Sequence, residues 1–187
     1  MKILKIISLA LAACIVIFAG VLYALPDRFR IEESQEIECS LDDVYPFVSS
    51  LKPWSTWSSF NYFADSTLGT HYNAVESGRG AYIEIYKGKS LYITLKIAEE
   101  IPGKLLKHEF IYGEPLSMVV ISYIRFEVIG DKVKITWSQE GKKSDQPLQK
   151  FKTIFFEDEL KQKMIFSLKV LKDRGEATKI ARIGKKK

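Results

Sequence analysis

The stretch Leu51-Lys52-Pro53-Trp54-Ser55-Thr56-Trp57-Ser58-Ser59-Phe60 carries two of the three tryptophans of this 187-residue chain. Trp54 and Trp57 are three residues apart and therefore lie on one side of a helical turn. Each ring brings a large apolar area and one indole N–H that needs a partner. The stretch predicts one wall of an apolar cavity but says little about its contents. In the alternative interpretation, the two rings only hold a short helix against a sheet.

A short helix precedes this stretch, and strand patterns surround it. Ser40 is a good helix cap, and Asp42 and Asp43 favour the positive end of a helix that begins there. Residues 29–38 alternate weakly between apolar and polar, which is typical of a strand with one wet face. Six further segments with strand patterns follow Phe60, at roughly residues 70–75, 80–86, 91–99, 105–112, 117–129 and 133–139. Because short turns separate them, they predict a curved antiparallel sheet of about seven strands in all.

The last apolar pattern has helical spacing. Leu160, Met164, Leu168 and Leu171 recur every three or four residues, which predicts a long amphipathic helix that ends at Gly175. Such a helix can cover the apolar face of the sheet, and any gap between the two becomes a pocket. The basic residues 176–187 are expected to form a disordered tail.

Five segments in this order resemble the SRPBCC superfamily, which has the helix-grip fold and includes START, birch-allergen and polyketide cyclase relatives. The similarity is greatest to its small membrane-anchored bacterial members. The segments are Glu33-Ser34-Gln35-Glu36-Ile37-Glu38, Asp43-Val44-Tyr45-Pro46-Phe47-Val48, Leu51 to Ser58, Glu76-Ser77-Gly78-Arg79-Gly80-Ala81 and Lys134-Ile135-Thr136-Trp137. The resemblance implies an α+β fold with two short helices, a long C-terminal helix over the sheet, and a cavity for a ligand.

The N-terminal segment from Ile6 to Leu25 has no charged residue. As a helix it would be about 30 Å long, so it predicts a transmembrane anchor in residues 1–26, before a helix-grip domain in 27–175. A cleaved signal peptide and a lipidated Cys14 are the alternatives. Lys2 and Lys5 favour a cytoplasmic N-terminus, whereas Arg28 and Arg30 favour the opposite orientation. On balance the segment predicts a single-pass protein of the cytoplasmic membrane with its domain outside.

Charge and motif content exclude several classes of protein. Residues 141–187 carry 14 basic and 6 acidic residues, whereas residues 26–140 carry 12 basic and 17 acidic ones. The net positive charge therefore lies toward the C-terminus rather than on the sheet, and we expect no nucleic-acid partner. The two cysteines, Cys14 and Cys39, are not expected to pair. Because His71 and His108 are the only histidines and no metal-binding or phosphate-binding motif is present, we expect no metal and no cofactor.

Candidate ligand-binding residues are those that the patterns place on the cavity side of the sheet and helices. They are Trp54, Trp57, Leu95, Phe110, Ile124, Phe126, Trp137, Met164 and Leu168. His108 shares strand parity with Phe110, so it is a candidate general acid or base. Glu84 is a second candidate, which could act with a tyrosine such as Tyr82 or Tyr112.

Three functions are compatible with these residues. The first is a membrane-anchored binding or carrier module for a hydrophobic or amphipathic small molecule, such as a lipid, isoprenoid or quinone-like compound. The second is an enzyme of the cyclase or dehydratase type that uses His108 or Glu84. The third is an interaction module without a true cavity. The scarcity of titratable groups on the apolar strand faces favours the first.

Overall fold

A computed structural model describes residues 2–60, 65–114, 117–142 and 147–185 of the chain. The helices in these ranges are α1 Lys2–Ala24, α2 Leu41–Ser49, α3 Trp54–Trp57 and α4 Pro147–Gly184. The strands are β1 Arg28–Ile37, β2 Leu68–Tyr72, β3 Tyr82–Lys87, β4 Ser90–Ile101, β5 Leu105–Tyr112, β6 Met118–Ile129 and β7 Lys132–Lys142.

The described strands form one antiparallel sheet in the order β1-β7-β6-β5-β4-β3-β2. Strands β2 to β7 form a meander, and β1 pairs with β7 at the far edge. Gly88 and Gly130 make the tight turns of the β3–β4 and β6–β7 hairpins, each with a φ of 63° that strains residues with a side chain. The predicted antiparallel sheet of about seven strands is therefore confirmed.

The core lies between the inner face of the sheet and α4. Alternate residues of each inner strand point into it, as Ile93, Leu95 and Ile97 of β4 do. Helix α4 covers these residues with the predicted apolar stripe, whose members Leu160, Met164, Leu168 and Leu171 are all buried. Burying one such side chain stabilises the fold by about 1.5–3 kcal/mol, so the stripe holds α4 on the sheet.

The N-terminal residues form α1, Lys2–Ala24, as a continuous helix. Among the residues that the structure describes, none of the helices combines the length and the apolar character that crossing a membrane requires. The transmembrane helix in the predicted fold class and the predicted single-pass location in the cytoplasmic membrane are therefore wrong.

Helix α4 continues well past its predicted end at Gly175. That glycine lies inside the helix, where an added Cβ would be 3.1 Å from the Cys39 Sγ and 3.3 Å from the Ile37 Cγ2. Gly175 therefore lets α4 pack closely against the end of β1, rather than ending the helix. The Lys179 ammonium donates to the Glu38 carbonyl at 2.9 Å and ties down a later turn. Residues 176–184 of the predicted tail are thus helical, whereas residues 186–187 lie outside the described ranges.

Candidate functional site

The two tryptophans of α3 form part of the core. Their ring centroids are 4.8 Å apart, and both rings pack against Trp137 of β7, at 6.0 Å and 5.7 Å. The Trp54 indole N–H donates to the Val48 carbonyl at 3.2 Å, and that of Trp57 to the Phe47 carbonyl at 2.8 Å. Since both indoles bond to the backbone of α2, the pair fastens α3 to α2.

The other predicted ligand-binding residues also lie in the space between sheet and helix, close to the tryptophans. Trp137 donates its indole N–H to the Ser122 Oγ at 2.7 Å, so its polar atom is also satisfied internally. The remaining predicted positions, Leu95, Phe110, Ile124, Phe126, Met164 and Leu168, are buried in the same core cluster. Large side chains fill this part of the gap, and a ligand contact at these nine positions stays a prediction.

His108 lies on β5 beneath Trp54, whose ring centroid is 5.0 Å away. The side chain is fully buried, and neither ring nitrogen makes a hydrogen bond of normal geometry with any residue that the structure describes. Burial lowers the pKa of His108 from 6.5 to about 3, an effect that the nearby Val48 carbonyl partly opposes. The imidazole is therefore neutral near pH 7 and sealed from solvent, which is a poor setting for proton exchange with a substrate.

Glu84 lies on the opposite face of the sheet from the core, because its neighbours Ile83 and Ile85 are the buried residues of β3. Its carboxylate accepts a hydrogen bond from the Tyr86 hydroxyl at 2.9 Å and lies 3.6 Å from the His71 Nδ1. The hydrogen bond to Glu84 raises the pKa of Tyr86. Glu84 therefore belongs to a polar cluster on the outer face.

A pocket of about 330 Å³ opens at the end of the sheet nearest β2, where α4 crosses it. Its volume is at the lower end of the range for small-molecule sites, roughly 300–1,000 Å³. The lining combines aromatic and aliphatic side chains with four charged residues. Its members are Phe60, Asp65, Leu68, Lys87, Tyr92, Tyr112, Phe156, Glu159, Leu160 and Lys163.

The apolar part of the lining connects with the core. Phe60 packs against Trp137 at 5.8 Å and Phe110 at 6.0 Å, which places the last residue of the tryptophan stretch between the core and the pocket. On the other side, the rings of Tyr112 and Phe156 meet edge to face at 6.0 Å. The aromatic cluster thus closes the inner end of the pocket.

A change of strand register places Tyr92 in the lining. The β3–β4 pairing shifts between Ile85 and Tyr86, so Tyr86 pairs with Leu91, whereas Ile85 pairs with Ile93. Tyr92 is the extra residue of this bulge, and bulges commonly re-aim a side chain in this way. Lys87, at the end of β3, is opposite Leu68 of the edge strand β2, so this edge supplies both an apolar and a cationic group.

The charged groups of the pocket differ in how they are paired. The Lys163 ammonium is 2.6 Å from the Glu159 carboxylate one turn earlier in α4. Asp65 accepts from the Thr67 hydroxyl at 2.6 Å and from its backbone N–H at 2.8 Å, and these bonds lower the pKa of Asp65. Lys87 has only a longer-range attraction to Asp65 and makes no ion pair with any described residue.

No cluster of three or more potential metal-binding side chains occurs among the described residues. The polar groups of the pocket are two lysines, two carboxylates and two tyrosines, a set suited to orienting the polar end of a ligand.

The sequence predicts this pocket only in part. Phe60 belongs to the opening stretch, Tyr112 is a candidate partner for Glu84, and Leu160 is part of the helical stripe. Phe156 widens the same stripe. The missed lining residues are Asp65, Leu68, Lys87, Tyr92, Glu159 and Lys163. The hairpin at residues 87–90 was a visible signal, but the bulge that turns Tyr92 toward the pocket depends on strand pairing.

No family model matches the sequence, and no curated protein matches it. Several solved structures match the fold. Zhui aromatase/cyclase from Streptomyces sp. R1128 has a TM-score of 0.58 and 8% identity, covering 80% of this chain and 94% of that one. Ara h 8.0201 has a TM-score of 0.54 and 14% identity, with coverage of 80% and 99%. The Aha1 dimer from Colwellia psychrerythraea has a TM-score of 0.55 and 14% identity, with coverage of 81% and 98%.

These similarities, together with the seven-stranded sheet and α4, define the chain as a helix-grip protein. The aromatase/cyclase and Ara h 8.0201 are both SRPBCC proteins, so the resemblance seen in the sequence is confirmed at the level of the fold. At identities of 14% and below, the similarity shows the fold and leaves the ligand open.

Proposed function

We propose that this protein binds a small hydrophobic or amphipathic molecule in the pocket between the β2 end of the sheet and α4. The observation that carries the proposal is the pocket itself, with its volume of about 330 Å³ and its apolar inner end. A lipid, isoprenoid or quinone-like compound fits this chemistry, because an apolar body would lie on the aromatic rings and a polar end would reach the charged rim.

The positions of the candidate catalytic groups favour binding over cyclase-type catalysis. His108 is sealed beneath Trp54, and Glu84 lies on the outer face of the sheet. Neither residue lines the pocket, and a general acid or base must come within hydrogen-bond reach of the substrate. The similarity to Zhui aromatase/cyclase therefore supports the fold of this chain, and we do not infer an aromatase or cyclase reaction from it.

The pocket also disfavours an interaction module without a cavity, since its volume exceeds roughly 300 Å³, the lower limit for typical ligand sites. It opens to solvent beside the exposed Asp65 and Lys87, so a ligand can enter without unfolding the core.

A neutral fluorescent probe tests the proposal. We expect N-phenyl-1-naphthylamine to bind the wild-type protein and to gain fluorescence in the apolar pocket. Leu68→Trp fills the pocket from the edge strand and should weaken probe binding about tenfold or more, as expected when bulk occupies a binding site. Val119→Trp adds the same ring at an exposed position on β6 and should bind like wild type. Equal binding by both variants would contradict the proposal.

A further inference from the structure

Two hydrogen-bond donors of the pocket have no partner among the described residues, and they identify the polar end of its ligand. This inference rests on the proposed function and concerns the charge of the ligand. Most polar groups of the lining are already engaged: Glu159 with Lys163, and Asp65 with Thr67. A ligand that bonded to these groups would have to compete with existing contacts.

Lys87 and Tyr92 differ from the other polar lining residues. The Lys87 ammonium makes no ion pair with any described residue, and the Tyr92 hydroxyl makes no hydrogen bond with one. An ammonium can only donate hydrogen bonds, whereas a phenol can donate or accept one. The two free groups therefore favour a ligand end that accepts hydrogen bonds and carries negative charge.

The fold places these two groups on one hairpin. Lys87 is the last residue of β3 and pairs with Ser90 of β4. Tyr92, two residues after Ser90, is the extra residue of the bulge and lines the pocket. Both groups lie at the hairpin side of the pocket, whereas Phe60 and Leu160, which are buried, supply apolar surface on the core side. The pocket is thus amphipathic, with cationic and hydroxyl donors at one side and hydrocarbon-like surface at the other.

We propose that the pocket selects a single-chain amphiphile with a carboxylate head, held by an ion pair to Lys87 and a hydrogen bond from the Tyr92 hydroxyl. The apolar chain lies against Phe60, Tyr112 and Leu160. A volume of about 330 Å³ suits one short or medium chain rather than a two-chain lipid. Asp65 lies at the same rim and repels the carboxylate, but its Oδ1 already accepts two bonds from Thr67, and it attracts Lys87 only from a distance.

Three probes with the same chain and different heads test the proposal on the full-length protein. Decanoate and decyltrimethylammonium are titrated calorimetrically below their micelle concentrations, and decanol below its solubility limit. We expect decanoate to bind about tenfold tighter than either of the others, the gain expected for a partly exposed charged hydrogen bond. Lys87→Met should reduce the decanoate-to-decanol ratio to near one, and Tyr92→Phe should reduce it by a smaller factor.

The matched control is Lys89→Met, which removes the same charge from the turn of the same hairpin, outside the pocket lining, and should keep the wild-type ratio. Equal binding of the three probes, or a preference for the cation, overturns the proposed head group while the proposed function stands. An unchanged ratio in Lys87→Met, or equal losses in Lys87→Met and Lys89→Met, also overturns it. If none of the three probes binds, the proposed function fails and this inference fails with it.

Discussion

Arg182, near the end of α4, donates two hydrogen bonds of 2.8 Å to the carboxylate of Asp43, at the start of α2. The Ser40 backbone N–H and hydroxyl donate to the same carboxylate at 3.0 Å and 2.6 Å. The Arg182 hydrogen bond is the largest cause that lowers the pKa of Asp43 to about 2, and Ser40 adds to it. The contact joins the extended end of α4 to α2, the helix whose carbonyls accept the indole hydrogen bonds of Trp54 and Trp57.

We expect Arg182→Met to raise the pKa of Asp43 from about 2 toward its ordinary value of 3.8. Because the folded pKa lies below the unfolded one, this carboxylate stabilises the protein above pH 3.8, and the contribution is lost as the pH falls toward 2. Between pH 3.8 and pH 2, the free energy of unfolding of Arg182→Met should therefore fall less than that of the wild-type protein. Carboxyl NMR titration gives the pKa, and urea unfolding gives the stability.

The exposed Arg174 of the same helix provides the control. Arg174→Met should leave the pKa of Asp43 unchanged. An Asp43 that titrates identically in wild type and Arg182→Met would contradict the assigned contact.

Gly175→Ala should lower the free energy of unfolding by about 1 kcal/mol. Alanine improves helix propensity by about 1 kcal/mol, but overpacking typically costs about 1–3 kcal/mol, and the new Cβ would lie 3.1 Å from the Cys39 Sγ. Gly184→Ala is the matched change at a position with open space, and it should not destabilise. Denaturant unfolding of both variants measures the difference.

A second substitution tests the named contact directly. Cys39→Ala should cost less in the Gly175→Ala background than in wild type, because it removes the sulfur that the new methyl group approaches. Additive effects of the two substitutions would show that Cys39 does not limit the approach of α4.

His108 should make the folded protein sensitive to acid. Its pKa falls from 6.5 to about 3 on burial, so the unfolded chain binds a proton between these values while the folded one does not. Stability from this residue is present above about pH 6.5 and is lost as the pH falls toward 3, by at most about 1.4 kcal/mol per pH unit. We expect His108→Gln to flatten the pH dependence of unfolding in this range.

Above about pH 6.5, where this histidine is neutral in both the folded and the unfolded chain, His108→Gln should keep the wild-type pH dependence. If the free energy of unfolding of His108→Gln depended on pH below 6.5 as strongly as that of the wild type, His108 would have to be protonated in the folded protein. That result would contradict the burial of its side chain.

The strand alternation and the helical stripe of α4 were sufficient to predict the sheet and the helix that covers it, because both follow from the local spacing of apolar residues. The path of α4 beyond Gly175 could not be predicted in this way. A glycine near the end of an apolar stripe usually indicates a helix end. In this protein the helix continues past Gly175, because the glycine packs closely against Cys39 and Arg182 binds Asp43, which is distant in the sequence.

The pocket was harder to predict than the fold. The sequence indicated a cavity beside Trp54 and Trp57, but side-chain volumes decide where space remains, and Trp137 and Phe110 fill the centre of the gap. The space that remains lies near the edge strand, and its polar lining depends on a register shift that no local pattern reveals.

Methyl NMR of the full-length protein titrated with decanol tests the central claim most directly. If the ligand occupies the pocket at the β2 edge, the methyl signals of Leu68 and Leu160 should shift, whereas those of Leu95, Ile124 and Leu168 in the core should stay in place. Saturable shifts at the core leucines and Ile124, with Leu68 and Leu160 unchanged, would place the ligand among the aromatic cluster and contradict the account.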